Sequence, residues 1–138
     1  MKMSVHLNFN GNCAEAFGFY TKVFQAKNPF SVTYAEAPEG NMPIPPEWKS
    51  KVMHASIELG EGRIMGCDAP PGSSKPMGGF QVCVESEDEA EVRRVYDALA
   101  ASGSVQMPLM KTFWSPLFGM CTDKFGVAWM VGMPGASQ

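Results

Sequence analysis

Asp123-Lys124-Phe125-Gly126-Val127-Ala128-Trp129-Met130, near the end of the chain, is the stretch on which the fold turns. Asp123 to Gly126 reads as a tight turn feeding a short apolar strand. Gly126 supplies a position where positive φ carries no Cβ penalty, and the Asp123 side chain can bond the backbone two residues on. The run Phe118 to Thr122 lies just before it. The pair therefore predicts a β-hairpin that closes the fold.

The preceding segments read as one unit used twice. In Met3 to Phe9, apolar Val5, Leu7 and Phe9 alternate with Ser4, His6 and Asn8. Period two predicts a strand with one packed and one polar face. Asn10-Gly11 turns the chain, and Asn12 with Glu15 forms a capping-box variant for a helix running to about Phe24. Its stripe is Ala16, Phe17, Tyr20, Val23 and Phe24. Gly18 inside it costs about 1 kcal/mol relative to Ala and reads as a mark of close backbone approach.

Phe30 to Ala35 predicts a second strand. Glu36 to Ser50 holds Pro38, Pro43, Pro45, Pro46 and Gly40 and is a loop, since proline removes the ladder donor. Met42, Ile44 and Trp48 give it apolar weight, so it reads as a lid or as a plain surface connection. Val52 to Leu59 alternates again, and Gly60-Glu61-Gly62 turns into a fourth strand, Arg63 to Cys67. Asp68 to Gly79 reads as a Pro/Gly-rich linker.

The order then restarts. Phe80 to Glu85 alternates, Ser86-Glu87-Asp88-Glu89 is a capping box, and Val92, Val95, Tyr96 and Leu99 form a helix stripe stopped by Gly103. Strand candidates follow at Val105 to Met107, Met110 to Trp114, Phe118 to Thr122 and Val127 to Val131. The expectation is an α+β fold of two βαβββ halves, about 1–68 and 79–133, in one domain.

A chain of 138 residues and 15.0 kDa suits one domain of that kind. Eleven basic against fourteen acidic residues leave a net charge of −3, without the clustered cations that nucleic acid requires. No apolar run reaches the roughly 20 residues of a membrane span, and Met1-Lys2-Met3-Ser4 does not open a secretory signal. Cys13, Cys67, Cys83 and Cys121 lie far apart with no Cys-x-x-Cys. That spacing speaks against a disulfide framework and for a cytoplasmic setting with reduced thiols. Cys13 stands at a helix N-terminus, where the dipole favours a thiolate.

Four segments together carry a family resemblance. They are Leu7-Asn8-Phe9-Asn10-Gly11-Asn12-Cys13 with Phe19-Tyr20, Val52-Met53-His54-Ala55, Phe113-Trp114, and Asp123 to Trp129. In order and spacing they resemble the PhnB-like branch of the vicinal oxygen chelate superfamily, which includes glyoxalases, bleomycin-resistance proteins and dioxygenases. The resemblance implies two four-stranded mixed sheets curled around a cavity, with the helices outside, and a homodimer. Family members are often labelled as demethylubiquinone methyltransferases. A doubly wound methyltransferase needs a Gly-rich turn after its first strand, and Asn8 to Asn12 offers one glycine, so that activity is not carried over.

The resemblance also places a divalent-ion site. Its ligand positions fall on Ser4, about Met65, near Gly79, and Met130, none of them a hard-metal ligand. His6 lies two residues from the first position. No metal and no other cofactor are therefore expected. The leading expectation is a small-molecule-binding protein whose ligand meets the polar strand faces through His6, Asn8, His54, Ser56, Glu58 and Gln81, with Trp114 and Met130 on an apolar wall. One alternative is a metal-dependent lyase or dioxygenase using His6 and Glu58 in a shifted register. Another is a drug-sequestering protein of the bleomycin-resistance kind. No nucleic-acid or membrane partner is expected.

Overall fold

Alternation in the first strand resolves as β1 (Val5–Phe9), with Leu7 and Phe9 buried and His6 and Asn8 exposed. In the computed structural model, which describes residues 1–38, 43–73 and 75–135, the chain divides into two units, Met1–Pro76 and Met77–Gln138. The first contains β1, α1 (Cys13–Phe24), β2 (Lys27–Thr33), a one-turn 3-10 helix (Pro46–Trp48), β3 (Val52–Leu59) and β4 (Gly62–Asp68). Its strands run in the order β1-β4-β3-β2, with β1 parallel to β4 and the other pairs antiparallel.

Helix α1 turns Cys13, Ala16, Phe17, Tyr20 and Val23 inward. They cover the sheet face made by Leu7, Phe9, Ala55, Ile57 and Ile64, all at most 4% exposed. Full burial of each such side chain stabilises by about 1.5–3 kcal/mol. Gly66 on β4 is required by this packing, because an added Cβ would lie 2.5 Å from the Phe17 ring. The opposite face of the sheet is not packed by α1.

Asp68, at the end of β4, is 1% exposed. Its Oδ1 accepts the N–H groups of Gly11 and Cys13, each at 2.9 Å, and its Oδ2 accepts that of Val52 at 2.9 Å. One carboxylate thus ties the β1–α1 turn, the first residue of α1 and the start of β3 to β4. Two oxygens meeting three donors satisfy backbone groups that burial would otherwise leave orphaned.

The second unit contains β5 (Val82–Glu85), α2 (Glu89–Ala100), β6 (Ser104–Met110), β7 (Phe118–Thr122) and β8 (Ala128–Gly132). Its order is β5-β8-β7-β6, again with one parallel pair, β5 and β8. Val92, Val95, Tyr96 and Leu99 of α2 are buried together with Cys121, Trp129 and Val131 of the sheet. The predicted hairpin is β7–β8, and Gly126 has φ +91°. Asp123 is 3% exposed and accepts from Phe125 N, Val127 N and the Trp129 indole N–H at 2.8–3.1 Å.

Several boundaries and caps differ from expectation, each for a physical reason. Asn12 occupies the N-cap position but makes no side-chain cap bond; the N–H of the first helical residue, Cys13, goes to the buried Asp68 carboxylate. Asp88 rather than Ser86 caps α2, accepting from Ala90 N, while the Ser86 hydroxyl accepts from Asp88 N. Strand β2 begins at Lys27, ahead of Pro29, which an edge strand with an irregular register tolerates. β6 is continuous through Pro108, also at an edge, and Phe113-Trp114 lie in the loop after it. Asp68 belongs to β4 and not to the linker. Met42 lies outside the described residues.

Gly18 was expected to mark a close approach, yet nothing stands within 4 Å of where its Cβ would be. Gly18→Ala is therefore expected to raise stability by about 0.5–1 kcal/mol, through helix propensity and a less flexible unfolded chain. Asp68→Ala is expected to lower it by about 3 kcal/mol or more, since three N–H groups lose their acceptor. Urea titration of both variants checks the two signs. A neutral Asp68→Ala would show that the carboxylate does not hold the unit together.

Candidate functional site

The open face of the first sheet is set by register. His6 stands opposite Met65, and Asn8 opposite Cys67, across the parallel β1–β4 pair. Across β3–β4, Ser56 faces Met65 and Glu58 faces Arg63, and across β2–β3, Phe30 faces Ser56 and Val32 faces His54. The face therefore carries His6, Asn8, His54, Ser56, Met65, Cys67 and Phe30 in adjoining rows.

A hydrogen-bonded chain joins part of this group. The Cys67 thiol donates to Asn8 Oδ1 at 3.3 Å, and His6 Nε2 lies 3.4 Å from Cys67 Sγ. With the thiol proton directed at Asn8, His6 presents Nε2–H to sulfur and keeps Nδ1 as an acceptor. Burial pushes the His6 pKa below its ordinary value. The nearby His54 lowers it further, and hydrogen bonding to Asn8 partly opposes both. Burial and the neighbouring Asp68 raise the Cys67 thiol. Thiol and imidazole are both biased to their neutral forms, so this pair is a hydrogen-bonding group and not a thiolate–imidazolium nucleophile.

His54 is partly buried and packs beside Phe30, with ring centroids 6.3 Å apart. It has no hydrogen-bond partner among the described residues. Ser56 is 6% exposed on the same strand. Glu58 departs from the group: its Oε2 accepts from Asn28 Nδ2 at 2.8 Å, toward the β2 edge. The first unit also has a cleft of about 250 Å³ on its helix side, bordered by Phe17, Gly18, Thr21 and Ile57.

In the second unit the open face is rich in sulfur. Gln81 donates to the Met120 thioether at 3.5 Å, and the Cys83 thiol lies 3.5 Å from Met130 Sδ. Trp114 sits on the β6–β7 loop, 38% exposed, edge-on to Phe118 at 5.4 Å and to Phe113 at 4.8 Å.

The residues at the implied metal positions do not fit a hard divalent ion. Ser4 precedes β1 and is exposed, Gly79 lies in a loop with φ +76°, and Met65 and Met130 offer thioethers. Among the described residues no three His, Cys, Asp or Glu side chains converge as ligands. The shifted-register alternative fares no better, since His6 is on β1 while Glu58 lies two strands away beside Arg63. Cys13 is fully buried, and burial with the charge of Asp68 drives its thiol far above the usual range, which removes the reactive reading.

Cys67 and Met120 were not singled out as site residues. Cys67 had a legible signal, being two residues from Met65 and so on the same strand face. Met120 becomes visible only once the β7–β8 register places it beside Met130.

Two βαβββ units, each a four-stranded mixed sheet with one helix, define a protein of the glyoxalase/bleomycin resistance/dioxygenase fold. A domain of that description from Frankia sp. EAN1pec superposes with a TM-score of 0.64 at 14% identity, covering all of this chain and 94% of that one. More specifically, residues 1–132 match the family model described as 3-demethylubiquinone-9 3-methyltransferase, and the chain belongs to that PhnB-like family. Protein YjdN of Escherichia coli (strain K12) is 32% identical over 140 residues, covering 96% of this chain and 95% of YjdN. The crystal structure of PA1353 from Pseudomonas aeruginosa is similar at 38% identity and TM-score 0.87, covering 97% of this chain and 98% of that one. A structure from Bacillus cereus described as a putative 3-demethylubiquinone-9 3-methyltransferase, PhnB protein, is 27% identical with TM-score 0.74, covering 96% and 99%. No helix among the described residues is long and apolar enough to cross a membrane.

The depressed His6 pKa has a stability consequence with a definite sign. Below about pH 6.5, where an ordinary imidazole takes its proton, the unfolded chain binds a proton that folded His6 resists. Stability from this group is present above that pH and is lost as pH falls through it. A His6→Gln variant is expected to show a flatter stability profile between about pH 7 and 5 than the parent. In proton NMR the His6 ring of the parent titrates at lower pH than an unperturbed histidine; a normal midpoint would overturn the assignment.

Proposed function

We propose that this protein is a small-molecule-binding member of its family, with the ligand seated on the open face of the first sheet. The observation that carries the reading is His54, a partly buried imidazole with no hydrogen-bond partner among the described residues, set beside the Phe30 ring. A half-buried imidazole beside an aromatic ring, with no protein partner among the described residues, offers a donor and an acceptor to a ligand. His6, Asn8 and Ser56 supply further donors and acceptors, and Met65 supplies an adaptable apolar surface. This combination suits a small, partly apolar molecule bearing at least one hydrogen-bonding group. In the second unit, Gln81, Trp114 and Met130 are the residues proposed to contact small molecules. Glu58 is retained only as an edge contact, because Asn28 already occupies it.

The reading includes no metal and no other cofactor, and assigns no reaction. The methyl transfer in the family's description finds no support in the fold. β1 enters α1 through Asn10-Gly11-Asn12, without the glycine-rich turn that cradles a nucleotide cofactor in doubly wound sheets. Family membership also supports a homodimer, which sedimentation equilibrium measures directly.

The binding proposal is tested by a ligand-observed NMR screen of small polar-aromatic and polar-aliphatic compounds against the native protein, followed by titration of each hit. His54→Ala is expected to weaken binding at least tenfold while leaving the urea midpoint near that of the parent. Hits that bind His54→Ala as tightly as the parent would overturn the placement on this face.

A further inference from the structure

The second sheet carries a row of sulfur across all four strands. Cys83 of β5 pairs in register with Met130 of β8, Met130 with Met120 of β7, and Met120 with Met107 of β6. The residues alternating with them, Trp129 and Cys121, are fully buried in the unit's core with the α2 stripe. Met130 and Met120, with Cys83 in register beside Met130, therefore lie on the opposite face, and Met107 pairs with Met120 between two register shifts of β6. Cys83 is exposed and the three methionines are half-buried, so none of the four belongs to the fully buried core under α2.

Two of the inner three donors touch, and the third is tied to the same strand as the first. Cys83 Sγ and Met130 Sδ are 3.5 Å apart. Gln81, two residues before Cys83, reaches the Met120 thioether at 3.5 Å, which places that sulfur over β8, toward β5. The Gln81 amide uses one lone pair of Met120 and leaves another for a further bond. Metal–sulfur bonds are about 2.3 Å long, so sulfurs sharing one ion at trigonal angles stand about 4 Å apart. The observed Cys83–Met130 separation needs only a small opening to reach that spacing.

The donor types decide the ion. One thiol and two thioethers are soft and carry at most one negative charge, which suits a soft monovalent ion over Mn²⁺, Fe²⁺ or Mg²⁺. We propose that Cys83, Met130 and Met120, with Met107 as the outer member of the row, form a binding site for a soft monovalent d¹⁰ cation, copper(I) in particular. On binding, the Cys83 S–H bond breaks, its proton leaves to solvent, and the thiolate and two thioether lone pairs form three bonds to the ion. No oxidation-state change is involved. The site does not depend on the ligand reading for the first sheet, which rests on His54; it shares Met130 with the small-molecule contacts proposed for the second unit.

The test is anaerobic titration of the full chain with copper(I) against bicinchoninate, a chromophoric competitor, with silver(I) as a redox-inert probe. The expected result is one copper(I) per chain at this site. Cys83→Ser should lose at least 100-fold in affinity, and Met130→Leu and Met120→Leu at least tenfold each. Cys67→Ser, removing a thiol of the other sheet, should stay within twofold. Retention of full affinity in both Met→Leu variants would reduce the site to a simple exposed thiol and overturn the proposal, as would an absence of competition with bicinchoninate. A second measurement needs no variant: methyl spectra of ¹³C-methionine-labelled protein with silver(I). Shifts confined to two or three of the eleven methionines support the row; shifts in none, or spread over most of them, overturn it.

Discussion

A single buried carboxylate fixes the relative positions of three strands in the first unit. Asp68 takes backbone N–H groups from Gly11, Cys13 and Val52, so the ends of β1, β3 and β4 and the first turn of α1 meet at two oxygen atoms. The Tyr34 hydroxyl adds a bond to the Asp68 carbonyl at 2.7 Å. Register is the property this arrangement protects. A slip of one residue between β1 and β4 would turn Leu7 and Phe9 outward and bury His6 and Asn8. The face proposed to bind ligand thus depends on an interaction on the other side of the sheet.

The second unit reaches the same end by a different bond. Asp123 lies in the β7–β8 turn and holds its own hairpin, accepting from Phe125 and Val127, and fastens the Trp129 indole N–H. A buried tryptophan requires such a partner, and here the partner also shapes the turn. The units share a strand order but not the residues that pin it. This explains how they repeat an architecture with negligible sequence repetition.

The parts of this fold legible in the amino-acid order were those governed by local period. The period of Val52 to Leu59 marks β3 at its bounds, though Val52 is buried and Met53 exposed at its start, and the Val92, Val95, Tyr96, Leu99 stripe is the buried face of α2. Edges and caps were less legible because their determinants are distant. Asn12 looks like a cap but its side chain makes no cap bond, and the first helical N–H, that of Cys13, goes to Asp68, fifty-five residues away. Pro29 and Pro108 argue against strand locally, yet both sit in edge strands where a missing donor faces no neighbour. At the candidate site, His6, Asn8, His54 and Ser56 do share a face, as alternation implied. Glu58 has the right parity but sits at the end of β3, where Asn28 reaches it. Cys67 shares a strand face with Met65 by period two, but its hydrogen bonds come from Asn8 and His6 on the parallel strand, which the local order does not reveal.

The two faces of each sheet follow separate rules. The helix-covered face is constrained atom by atom, with glycines at positions 66 and 119 accommodating the rings of Phe17 and Tyr96. The open face contributes little to that packing and is free to change its chemistry. Here the positions that the fold family uses for hard ligands carry Met65 and Met130, while imidazole, amide and hydroxyl groups gather on the first sheet and sulfur on the second. Thioether, imidazole and amide groups are neutral and polarisable, so covering them carries none of the large desolvation cost of several carboxylates. Under the ligand reading proposed above, such a surface favours weakly charged partners.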